Sequence, residues 1–404
     1  MIAAVPKHPR ASYRRLAAVV CGVFFIALLA ACSGAKPRVE PPELEPVAGE
    51  MVQRGLWYRQ PQVRHEPDVA ALTPFVEGRR LFYSDRPDRV VALDARKGRR
   101  LWSVVVPPPA GTDEASVRLS GGIGAGEGML YVGTDEGEII ALDPDTGALR
   151  WRTQLSGEAL AIPVAREGAL VVRTNDGRLT AIDPASGNSL WSYASTVPPL
   201  SLRGASRPLI DQGRVFAGFA NGKLAALSLE SGEVLWEVTV GVPEGRSELE
   251  RMVDIDADPV LVDGVIYAAA YQARLAALTS VAGSVLWSRE LSTAQDMALD
   301  SDALYLAQDD GKVFAVSRRS GAVLWQQDKL AGRAITAPVM YRGTLYVADQ
   351  QGYLHGLSAG DGHFVARFRV SEDAITLAPV VSDDAMYVQT VGGALHALRI
   401  DPKS

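Results

Sequence analysis

Five histidines and two cysteines are the residues of this chain best suited to acid–base, nucleophilic or metal chemistry. Neither set is spaced for it. His8, His65 and His363 stand apart from other candidate ligands. His355 and His396 occupy one slot of successive repeats, where other copies carry Val91, Ile140 or Phe314. A slot that returns with the repeat reads as a packing position before it reads as a metal site. Asp309-Asp310 and Asp383-Asp384 fall in turn sequences, where a solvated aspartate is ordinary. No Ser/His/Asp arrangement, phosphate loop or paired metal-ligand spacing occurs. The expectation is a chain without catalytic residues, cofactor or metal site, and therefore no enzyme.

The chemistry that remains is recognition. Val197-Pro-Pro-Leu-Ser-Leu-Arg-Gly204 offers Leu200 and Leu202 for aliphatic contact and Arg203 as a bidentate donor. A second stretch, Val242 to Val253, runs into Asp254-Ile-Asp256. Leu200, Leu202, Arg203, Asp254 and Asp256 are thus the candidate partner-binding residues. Two alternatives stay open here. The leucines would also suit the start of an inner strand, and the aspartates could shape the loop without touching a partner.

These residues must be positioned by something rigid, and the chain repeats. Ala141-Leu-Asp-Pro-Asp-Thr-Gly-Ala-Leu-Arg-Trp151 reads as a strand end, a tight turn and a new strand. Its pattern returns as Ala92…Gly98…Trp102, Ala181…Gly187…Trp191, Ala226…Gly232…Trp236, Ala277…Gly283…Trp287 and Ala315…Gly321…Trp325. Gly356…Gly362 keeps the turn but places Ala366 where tryptophan is due, and Ala397 begins a copy that has no tryptophan after it. Copies recur every 38 to 51 residues with no long helical pattern. That period describes propeller blades of four strands.

The expected fold is therefore all-β: an eight-bladed β-propeller of four-stranded antiparallel blades. Leu56-Trp57 has no repeat before it, so it should supply the outer strand of the blade that Ala397 begins. Pairing the N-terminal and C-terminal strands closes the ring and removes two exposed edges. The inner strand is often expected to carry a proline, as in Ile162-Pro-Val164, Asp258-Pro-Val260, Ala337-Pro-Val339 and Ala378-Pro-Val380. The fifth copy lacks the middle-turn glycine, having Gln272-Ala-Arg274, so that hairpin should be less regular. The three long connections all fall between a tryptophan strand and the next inner strand, after Trp102, Trp191 and Trp236. Long loops on a rigid scaffold are where binding residues are usually carried.

The N-terminus sets the compartment. Lys7, Arg10, Arg14 and Arg15 precede an apolar run from Leu16 to Ala31 that ends in Leu-Ala-Ala-Cys32. This resembles a bacterial lipobox, with cleavage before a cysteine that takes lipid. Residues 1–31 read as a lipoprotein signal peptide, 32–50 as the lipidated cysteine and a proline-rich flexible tether, and 51–404 as the propeller. Losing four cations with no acid leaves the remainder more negative than the −6 of the whole chain. Nucleic acid is thereby disfavoured as a partner. Cys21 leaves with the signal and Cys32 carries lipid, so no disulfide is expected.

Leu119-Ser-Gly-Gly122, Gly157-Glu-Ala-Leu160, Leu200-Ser-Leu-Arg-Gly204, Asp254-Ile-Asp256 and Gly352-Tyr-Leu-His355 resemble the BamB family, the lipoprotein propellers of the outer-membrane β-barrel assembly machinery. The likeness covers nearly the whole mature chain. It implies a non-enzymatic scaffold bound to the POTRA domains of BamA, anchored in the cell outer membrane by lipid and facing the periplasm. It implies that Leu200, Leu202, Arg203, Asp254 and Asp256 form the BamA-binding surface. Unfolded outer-membrane protein clients are a further implied partner, met by another surface or a strand edge. The repeat alone also resembles the tryptophan-docking motif of quinoprotein dehydrogenases. A PQQ-dependent periplasmic oxidoreductase with a Ca²⁺ site is thus the alternative.

Overall fold

The computed structural model describes residues 43–47, 49–61, 72–109, 117–202, 204–382 and 384–403. They form thirty-two strands and no helix. The strands make eight four-stranded antiparallel sheets. Seven are meanders in chain order, spanning residues 75–105, 119–154, 164–194, 209–239, 260–289, 298–327 and 339–369. The eighth is built from both ends of this region. Val380–Val381, Met386–Gln389 and Leu395–Pro402 supply three strands, and Met51–Arg59 supplies the outermost. Trp57 lies opposite Ala397, as the interrupted repeat requires.

Burial follows strand position. Second and third strands are apolar on both faces and almost wholly buried, as in Leu130-Tyr-Val132 and Ile139-Ile-Ala-Leu142. Sheets stacked face to face bury both sides, so these strands read as continuous apolar runs rather than alternating ones. Outer strands alternate exposed with half-buried, as in Val234–Thr239.

The tryptophans join blade to blade. The Trp57 indole donates to Ala95 O at 2.9 Å and Trp102 to Pro144 O at 3.0 Å. Trp151, Trp191, Trp236, Trp287 and Trp325 repeat this on Pro184, Leu229, Ser280, Arg318 and Ala359. Each acceptor sits in the outer turn of the next blade. Each ring covers that turn's glycine so closely that a Cβ on Gly98 would lie 2.6 Å from Trp57. Gly98 also has φ of 64°, which a side chain disfavours.

Ala366 now has a physical reason. The blade after the seventh is the eighth, whose two outer strands, Leu395–Pro402 and Met51–Arg59, are far apart in the chain and share no turn. A tryptophan at 366 would have nothing to dock on. Instead Glu50 N donates to Val365 O at 2.8 Å, and Met51, Val365, Ala366, Leu398 and Ile400 share one apolar cluster.

Two local expectations need correction. The prolines are not in the inner strands; those strands begin one residue later, at Val164, Val260, Val339 and Val380. Proline has no N–H for the ladder, so pairing starts after it. The fifth hairpin keeps its pairing, with Ala269 opposite Leu275 just as Gly218 faces Leu224. Its irregularity is confined to the turn: Ala273 replaces the glycine, the positive φ moves one residue earlier to Gln272 at 51°, and Gln272 N is held by Ser292 Oγ at 2.7 Å.

Candidate functional site

The site lies where the third, fourth and fifth blades meet. Residues 195–208 join Ser189–Ala194 to Leu209–Asp211, and residues 240–259 join Val234–Thr239 to Val260–Val262. Residues 199–202 and 204–208 are not strand, so the leucines do not open the inner strand, which begins at Leu209. Leu200 is 42% exposed, whereas Leu202 is half-buried. Cys32 and Arg203 lie outside the described residues.

Three alternating aspartates hold the first loop. In an extended chain residues i, i+2 and i+4 share a face. Asp254 accepts the backbone N–H of Leu202. The Asp256 carboxylate abuts Gly204, where a Cβ would lie 2.8 Å from Oδ2. Asp258 accepts Arg207 N at 2.5 Å and pairs with Arg207 Nε at 3.0 Å. The acidic segment is itself clamped. Ile255 N donates to Phe219 O at 3.2 Å, and Tyr271 N to Asp254 O at 2.8 Å. A Cβ on Gly218 would lie 2.3 Å from Ile255 Cγ2, so only glycine lets this segment lie so close to the fourth blade.

Asp254 is wholly buried and Asp256 and Asp258 partly so, and burial disfavours their charge. Burial pushes Asp254 up to about 6, with the Leu202 amide pulling down and Asp256 pushing up. Burial likewise raises Asp256, opposed by Arg173. Burial and then the neighbouring Asp296 raise Asp258, whose backbone N–H donates to Asp296 Oδ1 at 2.8 Å.

The structure brings Leu202, Asp254 and Asp256 together and leaves Leu200 on the surface. Sequence reading missed Asp258, Arg207, Asp296 and Arg173. The i+4 continuation of the aspartate alternation was visible at Asp258, and nothing in the sequence pointed to the others. Beside the loop is a cleft of about 290 Å³ lined by Glu158, Arg173, Asn175, Ser201, Leu202 and Gly204 among others. The same long connections expose Val197, Val242 and Leu249, apolar side chains available for contact. Among the described residues no three histidine, cysteine or carboxylate side chains converge as a metal-ligand set.

The fold and site define a class: a closed, tryptophan-docked propeller with a loop-built surface held by buried aspartates. A sequence profile of the family described as "Outer membrane protein assembly factor BamB" matches residues 86–327 and 321–403. The BamB of Yersinia pestis is 33% identical over 384 residues, 94% of this chain and 98% of that protein. That of Alkalilimnicola ehrlichii is 40% identical over 375 residues, 93% and 95% respectively. The crystal structure of BamB from Moraxella catarrhalis matches with a TM-score of 0.76 and 28% identity, covering 86% of this chain and all of that one. A quinohemoprotein alcohol dehydrogenase from Comamonas testosteroni also matches, with a TM-score of 0.66 but 13% identity, over 86% of this chain and 76% of that one. That likeness shows the fold alone. The chain belongs to the BamB family of outer membrane protein assembly factors.

Proposed function

We propose that this chain is a non-enzymatic scaffold of the outer-membrane β-barrel assembly complex and binds the POTRA domains of BamA. Cys32 carries lipid after residues 1–31 are removed, residues 32–50 tether the body, and residues 51–404 form the propeller on the periplasmic side. Leu200 supplies apolar contact and Arg203 a bidentate donor. Asp254 and Asp256 shape the loop rather than meet the partner. One observation carries the surface: the Leu202 amide is held by Asp254, which fixes the loop and leaves Leu200 outward. A pre-ordered loop loses less entropy on docking.

The test is capture of BamA POTRA domains by the full lipoprotein, comparing wild type with Arg203→Glu. Capture by wild type and at least a tenfold loss in the variant support the surface. Undiminished capture by the variant removes Arg203 from it, and no capture by wild type overturns the function. The rival, a PQQ-dependent oxidoreductase, predicts a new absorbance band and dye reduction when pyrroloquinoline quinone and Ca²⁺ are added. The relatives' standing as assembly factors favours the scaffold.

A further inference from the structure

The repeat provides an internal control for one slot. Counting two residues past the second-strand residue that faces the repeat's Ala92-type position (Val171 in the third blade, an aromatic in the other seven) gives Ser84, Gly133, Arg173, Gly218, Ala269, Ala307, Ala348 and Gln389. Seven are small or neutral. Arg173 is charged and 3% exposed. Burying an arginine is costly unless other charges and hydrogen bonds compensate.

Its surroundings come from three blades. Arg173 Nη1 donates to Ser206 Oγ at 2.9 Å, in the loop that carries Leu200. The guanidinium lies over the Phe219 ring, 5.3 Å from its centroid, at the end of a fourth-blade strand. Asp256, Asp254 and Asp258 are the charges that stabilise its charged form against burial. Asp296 faces Asp258 from the far side, Arg207 faces it from the loop, and Glu158 lines the cleft beside Arg173. Arg173 Nε is buried with no hydrogen-bond partner among the described residues. It therefore acts on the aspartates as a charge rather than as a fork.

We infer that Arg173 is the positioning residue of the docking surface: its buried guanidinium, bonded to Ser206 and lying over Phe219, holds the loop around Leu202 and Ser206 in its binding shape. It touches no partner itself. The inference rests on the proposed POTRA-binding role of that loop. Three consequences follow from charge, not from packing. Arg173→Met keeps most of the volume and loses the charge; Arg173→Lys keeps the charge. Without a nearby cation, Asp254 takes up its proton at higher pH. Replacing Asp256 with asparagine removes the neighbouring anion and offsets part of the loss.

The experiment is POTRA capture by the full lipoprotein at pH 5 to 8.5, for wild type, Arg173→Met, Arg173→Lys and Arg173→Met/Asp256→Asn. Near-ultraviolet circular dichroism checks the propeller. Expected are at least a tenfold weaker capture by Arg173→Met at pH 7.5, less than threefold for Arg173→Lys, and recovery of at least threefold in the double variant. The pH midpoint of capture should rise in Arg173→Met relative to wild type. Equal capture by all four proteins overturns the inference while leaving the docking function intact. Loss in Arg173→Met and Arg173→Lys alike, with an unmoved midpoint, also overturns it, because it would mean a purely steric role. No capture by wild type refutes the function first. Should Arg173→Met fail to fold, the lysine variant and its pH midpoint decide.

Discussion

Trp57, in the first strand, lies directly opposite Ala397, in the last, and its indole reaches onward to Ala95 in the first blade. One residue therefore performs two closures: it completes the eighth blade and docks that blade on the first. The other docks join consecutive blades, so the ring meets its ends through this contact. Replacing Trp57 with Ala should cost about 3 kcal/mol, near the low end for a tryptophan because the ring is only partly buried. Urea unfolding at pH 7.5 measures this, and a loss below about 1 kcal/mol would refute the closure role.

Gly98→Ala addresses the same contact from the other side. It adds a Cβ 2.6 Å from the Trp57 ring at a residue with φ of 64°. The expected loss is about 2 kcal/mol from strain and overpacking together. Gly78→Ala, also at positive φ but with nothing within 4 Å, isolates the backbone share and should cost less. Equal losses would show that the tryptophan yields freely.

His355 is packed in its repeat slot, wholly buried, and is a hydrogen-bonding hub as well. Arg367 Nε donates to its Nδ1 at 3.1 Å, which leaves the proton on Nε2 to serve Asp349 Oδ2 at 2.9 Å. Arg333 Nε donates to the same carboxylate at 2.7 Å. Phe314 fills this slot in the sixth blade, so His355→Phe should fit sterically yet strip Asp349 of a donor. The expected cost is about 2–3 kcal/mol. In the double variant His355→Phe/Asp349→Ala, recovery of at least half supports the account, and an additive loss rejects it.

That histidine also sets a pH limit. Burial lowers its pKa below the usual value, so the native state resists protonation more than the unfolded chain does. A depressed histidine contributes stability that is present above about pH 6.5 and lost as pH falls below it. Wild type should therefore lose more stability than His355→Phe on going from pH 7.5 to pH 5.5. Thermal unfolding at the two values checks this; parallel losses would show that His355 is not responsible.

Asp254 has the opposite sign. Its folded pKa of about 6 lies above the unfolded value, so its contribution to stability is present at low pH and fades as pH rises through 6. Asp254→Asn removes this titration. The variant should gain on wild type in melting temperature between pH 5 and pH 8, while POTRA capture weakens at pH 8. A variant whose melting temperature tracks wild type across that range would show that Asp254 is not held in a costly ionised state.

The split between sequence and structure runs along local and non-local physics. Blade number, turn positions and ring closure were legible because the turns repeat an aspartate, serine or threonine, then a glycine and, in all but the Gly356 copy, a tryptophan at fixed spacing. The blank at Ala366 was visible too, but its cause required knowing that the eighth blade has no outer turn to receive a ring. Leu202, Asp254 and Asp256 could be named from the chain, yet their relation could not. The Leu202 amide and the Asp254 carboxylate are fifty-two residues apart, and only the stacking of blades brings them together. Arg173 looked like one more strand residue until three blades were seen to converge on its guanidinium. Sequence by itself determined the architecture, since hydrogen bonds and packing within a blade are short-range. Tertiary structure alone decided which buried charges gather around the loop of Leu202, because a charge is stabilised by whatever neighbours the fold delivers, however far away in the chain.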